Sequence, residues 1–145
     1  MSKRQRVAEA PAYLLHAVAW KETSLITQMF SRDHGIVALV AKGAKRPYSA
    51  LKPVLLNFQP SLLSWSGANE VKTLTKAEIM GLHPLSGRNL MPAWYMNELI
   101  MRLLPREDPH PALFDHYKNA LQRLAASGNA TAPILRQFEW FLLQE

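Results

Sequence analysis

The spacing of apolar residues changes once along this chain, near residue 80, and that change limits the fold more than any other feature. Before it, residues 13–20, 25–30 and 36–41 are short apolar or alternating runs rich in β-branched and aromatic types. Lys21-Glu22-Thr23-Ser24 and Asp33-His34-Gly35 separate them, which predicts three strands joined by turns. Residues 54–65 predict a longer fourth strand, whose apolar phase shifts between Phe58 and Leu62-Leu63 around Pro60. A phase shift at proline implies a bulge or bend rather than a flat central strand. Gly67-Ala68-Asn69 is a turn signal, and residues 70–78 supply a fifth strand with partial alternation. Five short strands with such curvature predict a small closed or Greek-key β-barrel.

After the change the period is helical. Residues 90–104 are apolar on nearly every side except at Asn97, Glu98 and Arg102, with Pro92 in the first turn and Pro105 as terminator; a buried helix is expected. Leu113, Tyr117, Ala120, Leu121 and Leu124 recur at helical spacing. That helix is expected to be capped by Asp108, to have Pro109 as its first residue and to stop at Gly128. A third helix begins near Thr131 and carries Ile134, Leu135, Phe138, Phe141 and Leu142 on one face. It reaches Glu145 without a stop signal, so a longer protein, cut or only partly recorded, is expected. The fold class is therefore α+β in two parts: a five-stranded β-barrel over 1–80 and an incomplete helical domain over 81–145. Residues 82–89, with Pro84 and Gly87, are the expected hinge.

Charge follows the same boundary. Of 17 Lys/Arg and 11 Asp/Glu, eleven basic and five acidic residues lie in 1–78, against six of each in 79–145. The whole excess of +6 therefore belongs to the first half. No carboxylate occurs between Asp33 and Glu70, whereas Lys42, Lys45, Arg46 and Lys52 fall within eleven positions. A surface for a polyanion and a solvated basic face without a ligand both fit this pattern.

Other chemistries find little support. An apolar content of 48% with 19% charged residues fits an ordinary folded chain. Apolar runs fall short of the roughly 18 residues a membrane span needs, and residues 1–9 lack the apolar stretch of a secretory signal. A cytoplasmic protein with no membrane association is expected. With no cysteine, disulfides, thiolate catalysis and thiolate-bound zinc are excluded within this sequence. His16, His34, His83, His110 and His116 show no metal-ligand spacing, and neither metal nor cofactor is expected. Adjacent Glu107 and Asp108 suit helix capping better than divided acid and base roles. The run from Ala41 to Lys45 lacks the second glycine and the Lys-Ser/Thr pair of a phosphate loop. No catalytic constellation is found, and the protein is not expected to be an enzyme.

Basic residues paired with aromatics are what remains. Ammonium and guanidinium groups follow a phosphate backbone while exposed rings stack on bases. Lys42, Lys45, Arg46 and Lys52, with Tyr48 among them, lie in a segment with Gly43, Pro47 and Ser49 that reads as a loop after the third strand. For Trp65 a core ring is favoured over base stacking, and Phe30 and Phe58 are assigned to the core.

These residues also resemble a known family. Lys21-Glu22-Thr23-Ser24, residues 35–40 leading into Ala41-Lys42-Gly43-Ala44-Lys45, Leu51, Asn57-Phe58-Gln59-Pro60, Trp65 and Gly67 are similar to the N-terminal domain of RecO proteins. Tyr95-Met96-Asn97-Glu98-Leu99, Arg102-Leu103-Leu104-Pro105, Pro109 with Leu113-Phe114 and Tyr117, and Leu135-Arg136-Gln137-Phe138-Glu139 are similar to that family's helical region. The resemblance implies an oligonucleotide-binding (OB) fold and a role in DNA repair as a recombination mediator. Such a protein binds single-stranded DNA, anneals complementary strands and, with RecR, helps load the RecA recombinase onto DNA coated by single-strand-binding protein; duplex binding is left open.

By carry-over, Lys42, Lys45 and Arg46 correspond to the family's basic loop, and charge and position add Arg32, Lys52 and Lys72. The family's helical half receives the acidic tail of single-strand-binding protein, making Arg102, Arg106 and Arg123 candidate anion contacts. Ordinary surface arginines, with Arg102 paired to Glu98 four residues earlier, are the favoured competing reading. Family members normally continue for a further helical segment, which in some carries a zinc-binding cysteine cluster. A protein-interaction module whose basic barrel holds acidic peptide tails is the alternative function.

Overall fold

A computed structural model describes residues 4–126 and 131–145. Five strands, β1 (Gln5–Trp20), β2 (Ser24–Ser31), β3 (Gly35–Ala41), β4 (Ser61–Gly67) and β5 (Val71–Ile79), precede a 3₁₀ turn (Gly87–Asn89) and three helices. The helices are α1 (Leu90–Leu103), α2 (Pro111–Ala126) and α3 (Thr131–Leu143). The α+β organisation, an OB-type β half followed by helices, is as the sequence implies.

The strands close on themselves in the order β1-β2-β3-β5-β4. Every neighbouring pair is antiparallel except β3 with β5. The sixteen-residue β1 makes closure possible: its first part pairs with β4 and its second with β2. Register shifts between Val7 and Ala10 and between Leu14 and His16 bend it from one neighbour to the other. At the first bend Glu9 takes φ 51°, and its freed amide donates to Ser64 Oγ at 3.0 Å. Polar Gln5, Arg6 and Glu9 hide this part of the strand from a hydrophobicity reading, which starts it at Tyr13.

Two further expectations are corrected. Residues 54–60 are not strand; β4 begins only at Ser61. Phe58 adopts φ 68°, incompatible with a strand, and Asn57 Nδ2 instead donates to the Leu14 and Leu15 carbonyls at 3.1 and 3.3 Å. The second helix starts at Pro111, not Pro109. The His110 carbonyl accepts the Phe114 amide at 3.0 Å, while residues 106–108 run along β3: Arg106 bridges Ile36, and Glu107 N donates to Ile36 O at 2.9 Å. Gly35 permits that approach. Its φ is 71°, and a Cβ there would lie 2.5–2.7 Å from backbone atoms of Asp108. The stop expected at Gly128 lies outside the described residues.

Alternation along the strands divides the β half into two faces. Leu14, Met29, Val37, Leu39, Leu63, Trp65 and Leu74 fill the interior of the ring. On the outer face the cross-strand row of Tyr13, Phe30 and Ile36 packs, with Leu15 and Phe58, against Met96, Ile100, Leu113, Phe114 and Tyr117 of the helices. One core thus spans both halves. Trp65, Phe30 and Phe58 are buried as assigned.

Helix α1 is not buried all round: Met91, Trp94, Tyr95 and Leu103 are exposed, and its inner face is Ala93, Met96, Asn97 and Ile100. The polar Asn97 faces inward because its amide is satisfied. Nδ2 donates to Leu15 O at 3.2 Å, and Tyr117 OH donates to Oδ1 at 2.5 Å. The expected hinge is anchored at its start, where Gln59 Oε1 accepts from His83 N at 2.6 Å and Nε2 donates to His83 O at 3.1 Å. The ring of His83 meets Tyr13 OH at 2.9 Å.

Candidate nucleic-acid interface

The segment after β3 has too many lysines and too few alternating apolar residues to enter the sheet, so it folds as consecutive turns. Arg46 N donates to Gly43 O, Ser49 N to Arg46 O, and Lys52 N to Ser49 O, at 3.1–3.3 Å. Ala44 is buried in the ring's core, and Leu51 and Leu55 pack against it. These apolar anchors turn Lys42, Lys45, Arg46 and Lys52 outward, and all four are exposed. Among the described residues no ion pair neutralises any of them. Lys42, Gly43, Arg46, Pro47, Tyr48 and Ser49 line a hollow of about 520 Å³. Another of about 300 Å³ is lined by Leu25, Ala44, Lys45, Lys52 and Leu55. The Tyr48 side chain is fully exposed, at 101%.

Arg32 and Lys72 do not join this surface. Arg32 grips Asp115 of α2 with two bonds of 3.0 Å and approaches Asp33 at 3.4 Å. The hydrogen bonds from Arg32 hold the Asp115 carboxyl below the usual carboxylate range. Lys72 is only 6% exposed and pairs with Glu107 at 2.8 Å. With Arg106 to Glu70 at 3.2 Å, these contacts tie the β half to the helical half. Charge counting could not separate the two groups, because the carboxylates that claim Arg32 and Lys72 come from beyond residue 80. Of the other arginines, Arg102 pairs with Glu98 at 2.8 Å as expected, and Arg123 donates to Gln137 Oε1.

The β1–β2 turn belongs to the basic end and was missed in the sequence. Lys45 N donates to Thr23 O at 2.8 Å and Gly43 N to Ser24 Oγ at 3.4 Å, so loop and turn are tied together. Lys21, exposed in that turn with φ 57°, places Nζ 4.4 Å from the centre of the Trp20 ring. Glu22 is the turn's one carboxylate, and among the described residues it has no ion pair with these lysines. An aromatic-Lys pair at a hairpin end was the available signal. Beyond the row covered by helices, the outer face of β1 and β2 stays open along His16, Val18, Trp20, Ile26 and Gln28, each exposed or half-buried.

Comparison with known proteins identifies the lineage. Residues 4–83 match the family model for Recombination protein O N terminal, and residues 85–145 that for Recombination protein O C terminal. The chain belongs to the RecO family. A relative from Aromatoleum aromaticum named DNA repair protein RecO is 56% identical over 146 residues, covering 100% of this chain and 60% of the relative. A RecO from Cupriavidus pinatubonensis is 59% identical over 141 residues, 97% of this chain and 48% of the relative. An Azoarcus RecO is 52% identical over the whole chain. This RecO-family chain spans about half to three-fifths of the length of those relatives. The sequence has no cysteine, and among the described residues no group of three potential metal ligands is found. Among the described residues no helix is long and apolar enough to cross a membrane.

Proposed function

We propose that the β half of this RecO-family chain binds single-stranded DNA, on a surface formed by the loop bearing Lys42, Lys45, Arg46, Tyr48 and Lys52 and by the open outer strip of β1 and β2. The observation that carries this reading is the segregation of charge: among the described residues these four cations have no ion pair, while Arg32 and Lys72 are neutralised. In OB folds the β2–β3 face and its flanking loops are the usual seat of an oligonucleotide. Here the helices cover Phe30 and Ile36 on that face, β3 is buried throughout, and the exposed or half-buried strip beside the basic loop lies on β1 and β2.

The full-length protein would act as a non-enzymatic mediator in the cytoplasm. It would anneal complementary strands and, with RecR, help load RecA onto DNA coated by single-strand-binding protein. The acidic tail of that last protein would dock on the helical half, where Arg123 lines a hollow of about 250 Å³ between α2 and α3 with Ile134, Phe138 and Phe141.

A labelled oligo-dT titrated at several salt concentrations tests the binding. Contact with four to six phosphates gives a log-affinity slope against log salt of roughly −3 to −4. The Lys42→Ala/Lys45→Ala/Arg46→Ala variant is expected to flatten it by about 2 and to lose affinity at least about tenfold. Full affinity in a variant with unchanged circular dichroism overturns the loop assignment. Preference for an acidic peptide over the oligonucleotide favours an interaction module instead. Annealing measured with and without single-strand-binding protein tests the wider role.

A further inference from the structure

Trp20 ends β1 on the same face as Val18 and His16, since side chains alternate along the regular part of the strand after the bulge. That face looks away from the ring's interior, where Ala17 and Leu25 pack. Of the chain's four tryptophans, Trp65 lies inside the ring, and Trp94 and Trp140 lie on α1 and α3. Trp20 is thus the one tryptophan beside the basic loop, its turn held there through Thr23 O and Ser24 Oγ. It is half-buried, and its ring carries the Lys21 ammonium 4.4 Å from its centre. What lies over that ring is an exposed ammonium, a group equally suited to a phosphate.

We propose that Trp20 is a base-stacking platform of the DNA surface, covered in the free protein by Lys21, whose ammonium swings to a backbone phosphate when a base takes its place. This rests on the reading that the basic end binds a single strand. A ring 4.4 Å from a cation is already positioned for face-on contact, and each base has a π-face that can replace the cation without sequence preference. Lys21 adds one phosphate contact to those of the loop, and it leaves an exposed position to do so.

The test compares oligo-dT with an abasic strand of equal length, using anisotropy with wild type, Trp20→Leu, Trp20→Phe and Lys21→Gln, each checked by circular dichroism and thermal melting. Trp20→Leu is expected to weaken dT binding roughly 5- to 100-fold and to leave abasic binding unchanged, with Trp20→Phe restoring much of the loss. Lys21→Gln should reduce the salt slope by roughly 0.7 on both strands. Oligo-dT should quench tryptophan emission in wild type, and less in Trp20→Phe. Equal losses on both strands, or no loss in a folded Trp20→Leu, overturn the platform. If wild type binds and the triple loop variant does not, that failure concerns Trp20 alone. No binding by wild type removes both readings.

Discussion

Single residues hold the two halves in register, and their substitution should be costly. Gly35 has both a left-handed backbone and no room for a methyl group against Asp108. Gly35→Ala should therefore destabilise the fold by about 2–4 kcal/mol, from backbone strain and overpacking combined, measured as a lowered urea midpoint. Asn97 satisfies a carbonyl and a phenol in the shared core. Asn97→Leu fits the apolar surroundings but orphans the Tyr117 hydroxyl and leaves the Leu15 carbonyl only its bond from Asn57, for an expected loss of about 1–3 kcal/mol. His83 supplies a pH dependence. Burial, and then the charge of Lys118, hold its folded pKa below the ordinary 6.5. The unfolded chain therefore takes the proton more readily. The contribution to stability is complete above about pH 6.5 and is lost as pH falls below it. Between pH 7.5 and 5.5 the wild-type urea midpoint should fall further than that of His83→Gln.

At the scale of elements, cations of equal formal charge have different work. The segment after α1 brings Arg106 and Glu107 to the β5 edge and covers the part of β3 that β5 does not reach. Glu107→Gln leaves the Lys72 ammonium nearly buried without its counter-charge, and should lower stability by about 1–3 kcal/mol, discounted because Glu107 is itself half-exposed. Its effect on the salt slope of DNA binding should be nil. The triple loop variant should do the reverse, keeping the melting temperature and flattening the slope. Measuring both quantities on both variants separates struts from ligand contacts. If the Glu107 variant shifts the slope as much as the loop variant, Lys72 is a ligand contact and not a strut.

For the whole molecule, the decisive fact is that one core crosses the boundary where composition changes. Tyr13, Leu15, Phe30, Ile36 and Phe58 are covered by helices rather than by strands. Residues 4–83 expressed alone would present them to water as a contiguous apolar patch. That fragment should self-associate in size-exclusion chromatography and bind a hydrophobic dye, whereas the whole chain should not show that exposure at the β face.

Much of this was legible in the residues taken one after another. Short apolar runs rich in β-branched and aromatic types marked β2 and β3, helical spacing marked the inner faces of α2 and α3, and the carboxylate-free stretch from 34 to 69 marked the basic loop, because each is a local pattern. The early start of β1, the absence of strand over residues 54–60 and the inward turn of Asn97 were not legible. In each case a partner more than forty residues away in sequence satisfies a backbone or amide group. The same holds for charge. Sequence determined that the positive excess lies in the first half; only the tertiary structure decided that Arg32 and Lys72 spend theirs on distant carboxylates while Lys42, Lys45, Arg46 and Lys52 keep theirs for the solvent, since an ion pair depends on distance in space and not along the chain.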